Sequence, residues 1–278
     1  MELIVDKSFL DAASREEISE ICERYHVMMP DILFFELITT REESRRRCFA
    51  KLPDADDPMS LLQGIGELLR YEIATKQPCV PLSEKCLRLI YRFNPHLRDG
   101  TFRFAGEALE ERDRQKAQIE KDTQNFVERF LAVDQFFPEV EDIEPKRLSG
   151  TIETARRRAA SDADFIKTIY ESFVREQNPD RGWPSPEGIS ENWAFFRWVQ
   201  CQLLAALRLF QSYQGSLPLN PGNKFWTRAE HSMIDTYYLI FAALGGALAS
   251  ADNEMIEDFT LICPKGILVI PKGNHGRR

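Results

Sequence analysis

The sequence specifies an α/β fold built on a central parallel sheet and interrupted by a large all-helical insertion; three observations lead there. Unbroken apolar runs closed by a carboxylate or a proline lie near both ends of the chain, at Leu3-Ile4-Val5, Val27-Met28-Met29 and Ile267-Leu268-Val269-Ile270. Such runs mark strands buried on both faces, as in parallel sheets, whereas half-exposed strands alternate apolar and polar residues. Helical periodicity fills the stretches between them. Residues 51–225, finally, carry almost only helical signals, punctuated by proline and glycine breaks.

Each element has a local reason. Leu3-Ile4-Val5 ends at Asp6, and Ser14-Arg15-Glu16-Glu17 then forms a capping box ahead of Ile18, Ile21, Cys22 and Tyr25 at helical spacing. Val27-Met28-Met29 reads as a second strand, closed by Pro30, which also suits the first turn of a helix over residues 31–47. Long helices are expected over 104–137 (or a hairpin there), 149–177 and 186–213. Past Pro221 the pattern returns to α/β. It gives a helix over 225–244, the Gly245-Gly246 stop, a small-residue strand over 247–251, then Asp252. Leu261-Ile262-Cys263-Pro264 and Ile267-Leu268-Val269-Ile270-Pro271 read as two last strands. The expected organisation is a discontinuous domain over 1–50 and 222–278, with 51–221 as a helical lobe.

Composition narrows the function classes. A hydrophobic fraction of 43% and a charged fraction of 29% are those of an ordinary globular protein. The apolar run over 237–249 is too short to span a bilayer, and the N-terminus lacks the basic start and apolar body of a signal peptide, so a cytoplasmic protein with no membrane partner is expected. Six cysteines without a CxxC pair suit reduced structural thiols and argue against zinc. Net charge is −8, unevenly spread: residues 51–225 hold 24 Lys+Arg against 27 Asp+Glu, and the flanks 12 against 17. Acidic flanks are expected if their carboxylates require cations before they meet a polyanion.

Four carboxylates stand out. Asp6 and Asp252 each follow an apolar strand at its carboxyl end, where open α/β sheets place ligands. Glu36 lies within Ile32-Leu33-Phe34-Phe35-Glu36-Leu37-Ile38, and Asp235 within Met233-Ile234-Asp235-Thr236-Tyr237-Tyr238, both read as helices with little polar surface. A carboxylate buried there without a counter-charge costs several kcal/mol, on the order of 3–5. Cations would relieve it. Oxygen-only ligands favour one or two Mg²⁺ or Mn²⁺ ions, which suit in-line phosphoryl displacement without a histidine base.

These segments resemble the PIN-like nuclease family. Leu3-Ile4-Val5-Asp6-Lys7-Ser8 resembles its opening strand and aspartate, and Met29-Pro30-Asp31-Ile32-Leu33-Phe34-Phe35-Glu36-Leu37 its proline-led helix with glutamate. The segment from Ile234 and Asp235 to Ala243 is similar to the helix bearing the third acid, and Ser250-Ala251-Asp252 to the segment bearing the fourth. The resemblance covers about 50 residues at each end and implies a three-layer α/β/α sandwich. It also implies Asp6, Glu36, Asp235 and Asp252 as catalytic metal ligands, and hydrolysis of RNA, or less readily DNA. The middle departs from compact members. The insertion would then select the nucleic acid or seat an inhibitor or partner protein; the alternative is a non-catalytic PIN-like interaction protein using that lobe. An oligomer is compatible with either.

Other residues have both a functional and a structural role open to them. Ser8 and Ser250 would support the acids, although serines after strands are mostly turn or cap residues. His231, one helical turn before Asp235, could approach a scissile phosphate, but a lone histidine is more often structural. Glu36 and Asp235 could instead pair with Arg41, Arg45 or Arg228. Arg45-Arg46-Arg47 and Arg156-Arg157-Arg158 are candidate phosphate contacts; runs of charge are more often solvated helix faces. Trp183, Trp193, Phe195, Phe196 and Trp198 could stack bases, though at helical spacing such rings are usually core.

Overall fold

A computed structural model describes residues 1–141, 143–176, 182–218 and 222–273, apart from the side chain of Pro145. In chain order its elements are β1 (Glu2–Val5), α1 (Lys7–Ala12), α2 (Arg15–Arg24), β2 (His26–Met29), α3 (Asp31–Thr39), α4 (Glu42–Lys51), β3 (Ser60–Leu61), α5 (Ile65–Thr75) and α6 (Pro95–Asp99). There follow α7 (Glu107–Phe130), α8 (Val133–Phe136), α9 (Pro145–Ser161), α10 (Ala163–Glu176), α11 (Ala194–Ser212), α12 (Asn223–Gly245), β4 (Ala247–Ala249), α13 (Asn253–Ile262) and β5 (Ile267–Val269). No helix among the described residues is long and apolar enough to cross a membrane.

The chain divides into two compact units. The first comprises Met1–Leu68, Val80–Gln115 and the chain from Phe241 on, and the second Leu69–Cys79 and Lys116–Ile240. This division departs from the sequence-based boundaries at 50 and 222. Residues 51–68 and 80–115 group with the sheet, and 222–240 with the helices. Strand signals were too sparse past residue 50 to reveal β3, a two-residue strand held by its pairing with β2.

In the first unit the five strands form one all-parallel sheet in the order β3-β2-β1-β4-β5. Leu3, Ile4 and Val5 are each fully buried. Because successive strand side chains point to opposite faces, both faces of β1 are covered, which is why its sequence does not alternate. The sheet grows from β1 through β2 to β3 on one side and through β4 to β5 on the other. The order therefore reverses between β1 and β4.

Three local expectations are corrected. The helix over 31–47 is two helices, because α3 ends at the β-branched pair Thr39-Thr40 and both Thr40 and Arg41 are extended. Leu261 and Ile262 close α13 rather than form a strand: Met255, Phe259 and Ile262 are buried at helical spacing, and a lone apolar pair does not distinguish the two periods. The stretch 149–177 is likewise broken, at Asp162, whose side chain accepts from Phe165 N at 2.9 Å and starts α10. By contrast, the capping box is formed as expected, with Ser14 and Glu17 bonding each other's backbone N–H.

The second unit has an aromatic core. Phe130 lies 4.9 Å from Phe173 and 5.5 Å from Trp198, centroid to centroid. Trp193, Phe195 and Phe196 are buried, and Trp183 packs edge-on to Phe195. These rings therefore serve as core. Glu72 is buried completely and is held by the N–H groups of Cys79 (3.2 Å), Ala194 (2.6 Å) and Phe195 (3.0 Å), so that it ties α5 to the start of α11.

Candidate functional site

The parallel register brings the ends of β1 and β4 level. Val5 pairs with Ala249, the Asp6 N–H continues the ladder to Ala249 O at 3.1 Å, and Ser250 N–H bonds Val269 O at 3.1 Å. Asp6 and Ser250 therefore stand side by side where the strand order reverses, the place at which open α/β sheets bind ligands.

Asp6 is 3% exposed and receives a converging set of donors. Ser250 Oγ donates to Oδ2 at 2.6 Å, Ser8 Oγ lies 2.9 and 2.8 Å from the two oxygens, and Phe9 N–H donates to Oδ1 at 2.7 Å as the cap of α1. Ser8 Oγ in turn accepts from Ala251 N–H at 2.9 Å, and Ser250 Oγ from Asp252 N–H at 3.0 Å. The two serines thus lock the loop after β4 onto the loop after β1. Burial raises the Asp6 pKa to about 6; the hydrogen bonds from Ser250, Phe9 and Ser8 work against that rise, and the charge of Asp252 adds to it. Asp252 itself is exposed and caps α13 through Glu254 and Met255 N–H.

The other two carboxylates are placed differently. Glu36 is partly exposed, because the apolar residues of α3 occupy its remaining faces; it lies 3.9 Å from Lys7 Nζ. Glu36 thus faces a lysine. Asp235 is exposed on α12 together with His231, one turn apart, in the second unit. An apolar sequence context was a poor guide to burial here, since a helix needs only part of its circumference for the core. The structure brings Asp6 and Asp252 together. Among the described residues it assembles no group of three or more His, Cys, Asp or Glu side chains suited to a metal ion.

The arginine runs are engaged within the chain. Arg45 is buried and donates to Ile38 O at 3.1 Å, while Arg47 bonds Asp11 at 2.7 Å. Arg46 is exposed on α4. Arg156 and Arg157 pair with Glu153, and Arg158 pairs with Asp162 and stacks on Phe165, 4.1 Å from its centroid. Cysteine chemistry has no support: burial pushes the thiol pKa of Cys22 up to about 11 and that of Cys48 up to about 12, and all six cysteines are free thiols.

Sequence reasoning overlooked two residues at this edge. Asp31 stands two residues past the end of β2, as the first residue of α3, so the rule that marked Asp6 and Asp252 would have found it. It keeps contact with solvent, yet the atoms crowding its carboxyl push its pKa up to about 6, and Gly64 leaves room for it: a Cβ there would lie 2.5 Å from Asp31 Oδ2. Lys7, the neighbour of Asp6, is the other. No protein-family model matches the sequence, and no curated protein or solved structure is significantly similar to it.

Proposed function

We propose that this chain is a metal-dependent nuclease of the PIN-like class, hydrolysing phosphodiester bonds of RNA, or of DNA, at the edge between β1 and β4. The observation that carries this reading is Asp6: a buried carboxyl fixed by Ser8 and Ser250 beside Asp252, at the reversal point of an all-parallel sheet. Asp6 and Asp252 each cap a helix, and the charge of Asp252 raises the pKa of Asp6. A cation, or a substrate that brings one, would relieve that repulsion.

The donor chemistry fits Mg²⁺ or Mn²⁺, since carboxylate and hydroxyl oxygens surround Asp6 and, among the described residues, neither sulfur nor imidazole bonds it. With no set of three ligating side chains among the described residues, the fit is to an ion held by one or two carboxylates and its own waters, a habit of Mg²⁺. Asp6 and Asp252 would hold it; Glu36 and Asp235 are supported as ligands by the family resemblance alone. When bound, such an ion activates water and offsets charge on the phosphoryl oxygens. Ser8 and Ser250 fix the rotamer of Asp6, and Asp252 supplies the second negative charge.

The missing third ligand favours one other reading, a PIN-like interaction protein that binds a protein partner through its helices without catalysis. Calorimetry with Mn²⁺ separates the two. Site-specific heat that Asp6→Asn abolishes, together with Mn²⁺-dependent cleavage of RNA lost in the same variant, supports the nuclease. Cleavage at the parental rate by Asp6→Asn and Asp252→Asn would refute it.

A further inference from the structure

The geometry points to Lys7 as the cation that contacts a nucleic-acid phosphate at this site, with Glu36 as the residue that positions it. This rests on the nuclease reading. Lys7 occupies the first position of α1, where the partial positive charge of a helix start disfavours a cation and favours an acid. The Asp6 carboxyl, which caps this helix one residue earlier, offsets part of that cost. Lys7 thereby stands at the carboxyl edge of β1, beside the reversal of strand order.

The contact with Glu36 fits a positioning role. At 3.9 Å the Nζ–Oε1 separation is an ion pair but exceeds hydrogen-bond length, so Glu36 steers the ammonium without consuming its donors. Among the described residues Lys7 Nζ meets no hydrogen-bond acceptor, and its side chain is 29% exposed. An ammonium with three donors, carried by the residue that follows Asp6 and open to solvent, is suited to a phosphate oxygen. Lys7 would touch the substrate directly, whereas Glu36 acts through Lys7 and not as a ligand of an ion.

The test is binding of a poly-U oligoribonucleotide to the full chain in chelating buffer, measured against salt concentration for the parent, Lys7→Met, Lys7→Arg, Glu36→Gln and the double variant. Lys7→Met is expected to weaken binding and flatten the log–log salt slope by about 0.7, the value for one contact to a single strand, and Lys7→Arg to restore the slope. Glu36→Gln is expected to change affinity several-fold in the parent and not at all in the Lys7→Met background. An unchanged slope in Lys7→Met overturns the phosphate contact. Equal effects of Glu36→Gln in both backgrounds, or none in either, overturn its positioning role, as does loss of Mn²⁺ heat in Glu36→Gln when Lys7→Met retains it. If the parent binds no oligonucleotide either in chelating buffer or in buffer holding Mn²⁺, the nuclease reading fails and takes this one with it; if it binds and only the slopes agree, Lys7 alone is wrongly assigned.

Discussion

Replacing Asp6 with asparagine should stabilise the chain at neutral pH while destroying its proposed activity. Asp6 is 3% exposed and its pKa stands at about 6 against 3.8 when unfolded, so at pH 7 its ionised form costs the folded state about 3 kcal/mol. Between those two values the folded chain binds more protons than the unfolded one. Stability therefore falls as pH rises from about 4 to about 6, and the penalty is fully present above that window. Asparagine keeps the shape, its oxygen can cap Phe9 N–H, and the hydroxyls of Ser8 and Ser250 can turn to accept from its amide. Urea denaturation of parent and Asp6→Asn across this range is the assay. The variant should gain up to about 3 kcal/mol over the parent at pH 7, with the gain vanishing near pH 4. Mn²⁺ should stabilise the parent at pH 7 and leave the variant unmoved. Parallel pH profiles, or an Asp6→Asn protein weaker than the parent at pH 7, would refute the claim that burial of a charge only partly offset by its hydrogen bonds governs this position.

Three further outcomes follow from packing. Glu72→Ala strands three buried N–H groups at the start of α11 and after α5, and should cost about 3 kcal/mol or more in denaturant unfolding, with Glu72→Gln costing less because one amide oxygen can still accept. Gly266→Ala would set its Cβ 2.6 Å from the Phe259 ring and 2.9 Å from Cys263 O; backbone cannot yield as a side chain can, so a loss of roughly 2 kcal/mol is expected by thermal unfolding. Gly64→Ala meets only the tip of Asp31, at 2.5 Å, so its cost, of about 1 kcal/mol, should disappear in the Asp31→Ala background when the double-mutant cycle is closed.

Legibility followed the range of the forces involved. Strands β1, β2 and β5, the capping box at Ser14 and the acids after β1 and β4 were written in the sequence because they depend on neighbours within a few residues: continuous apolar runs, a side chain three positions from a backbone N–H, a carboxylate ending a strand. Strand β3 was not, since two residues carry no period and exist as a strand only because β2 offers them a partner. The broken helix over 31–47 lay between these cases, its Thr39-Thr40 stop visible but outweighed by the apolar run before it.

The sequence by itself determined a parallel α/β sheet with acids at strand ends, since burial on both faces leaves an unbroken apolar record. Only the tertiary structure decided which of those acids meet. The β1–β4 register sets Asp6 against Ser250 and near Asp252, α3 turns Glu36 toward Lys7, and α12 leaves Asp235 exposed in the other unit. Contacts between residues more than two hundred positions apart are fixed by strand order and helix rotation, and neither quantity has a local signature in the chain.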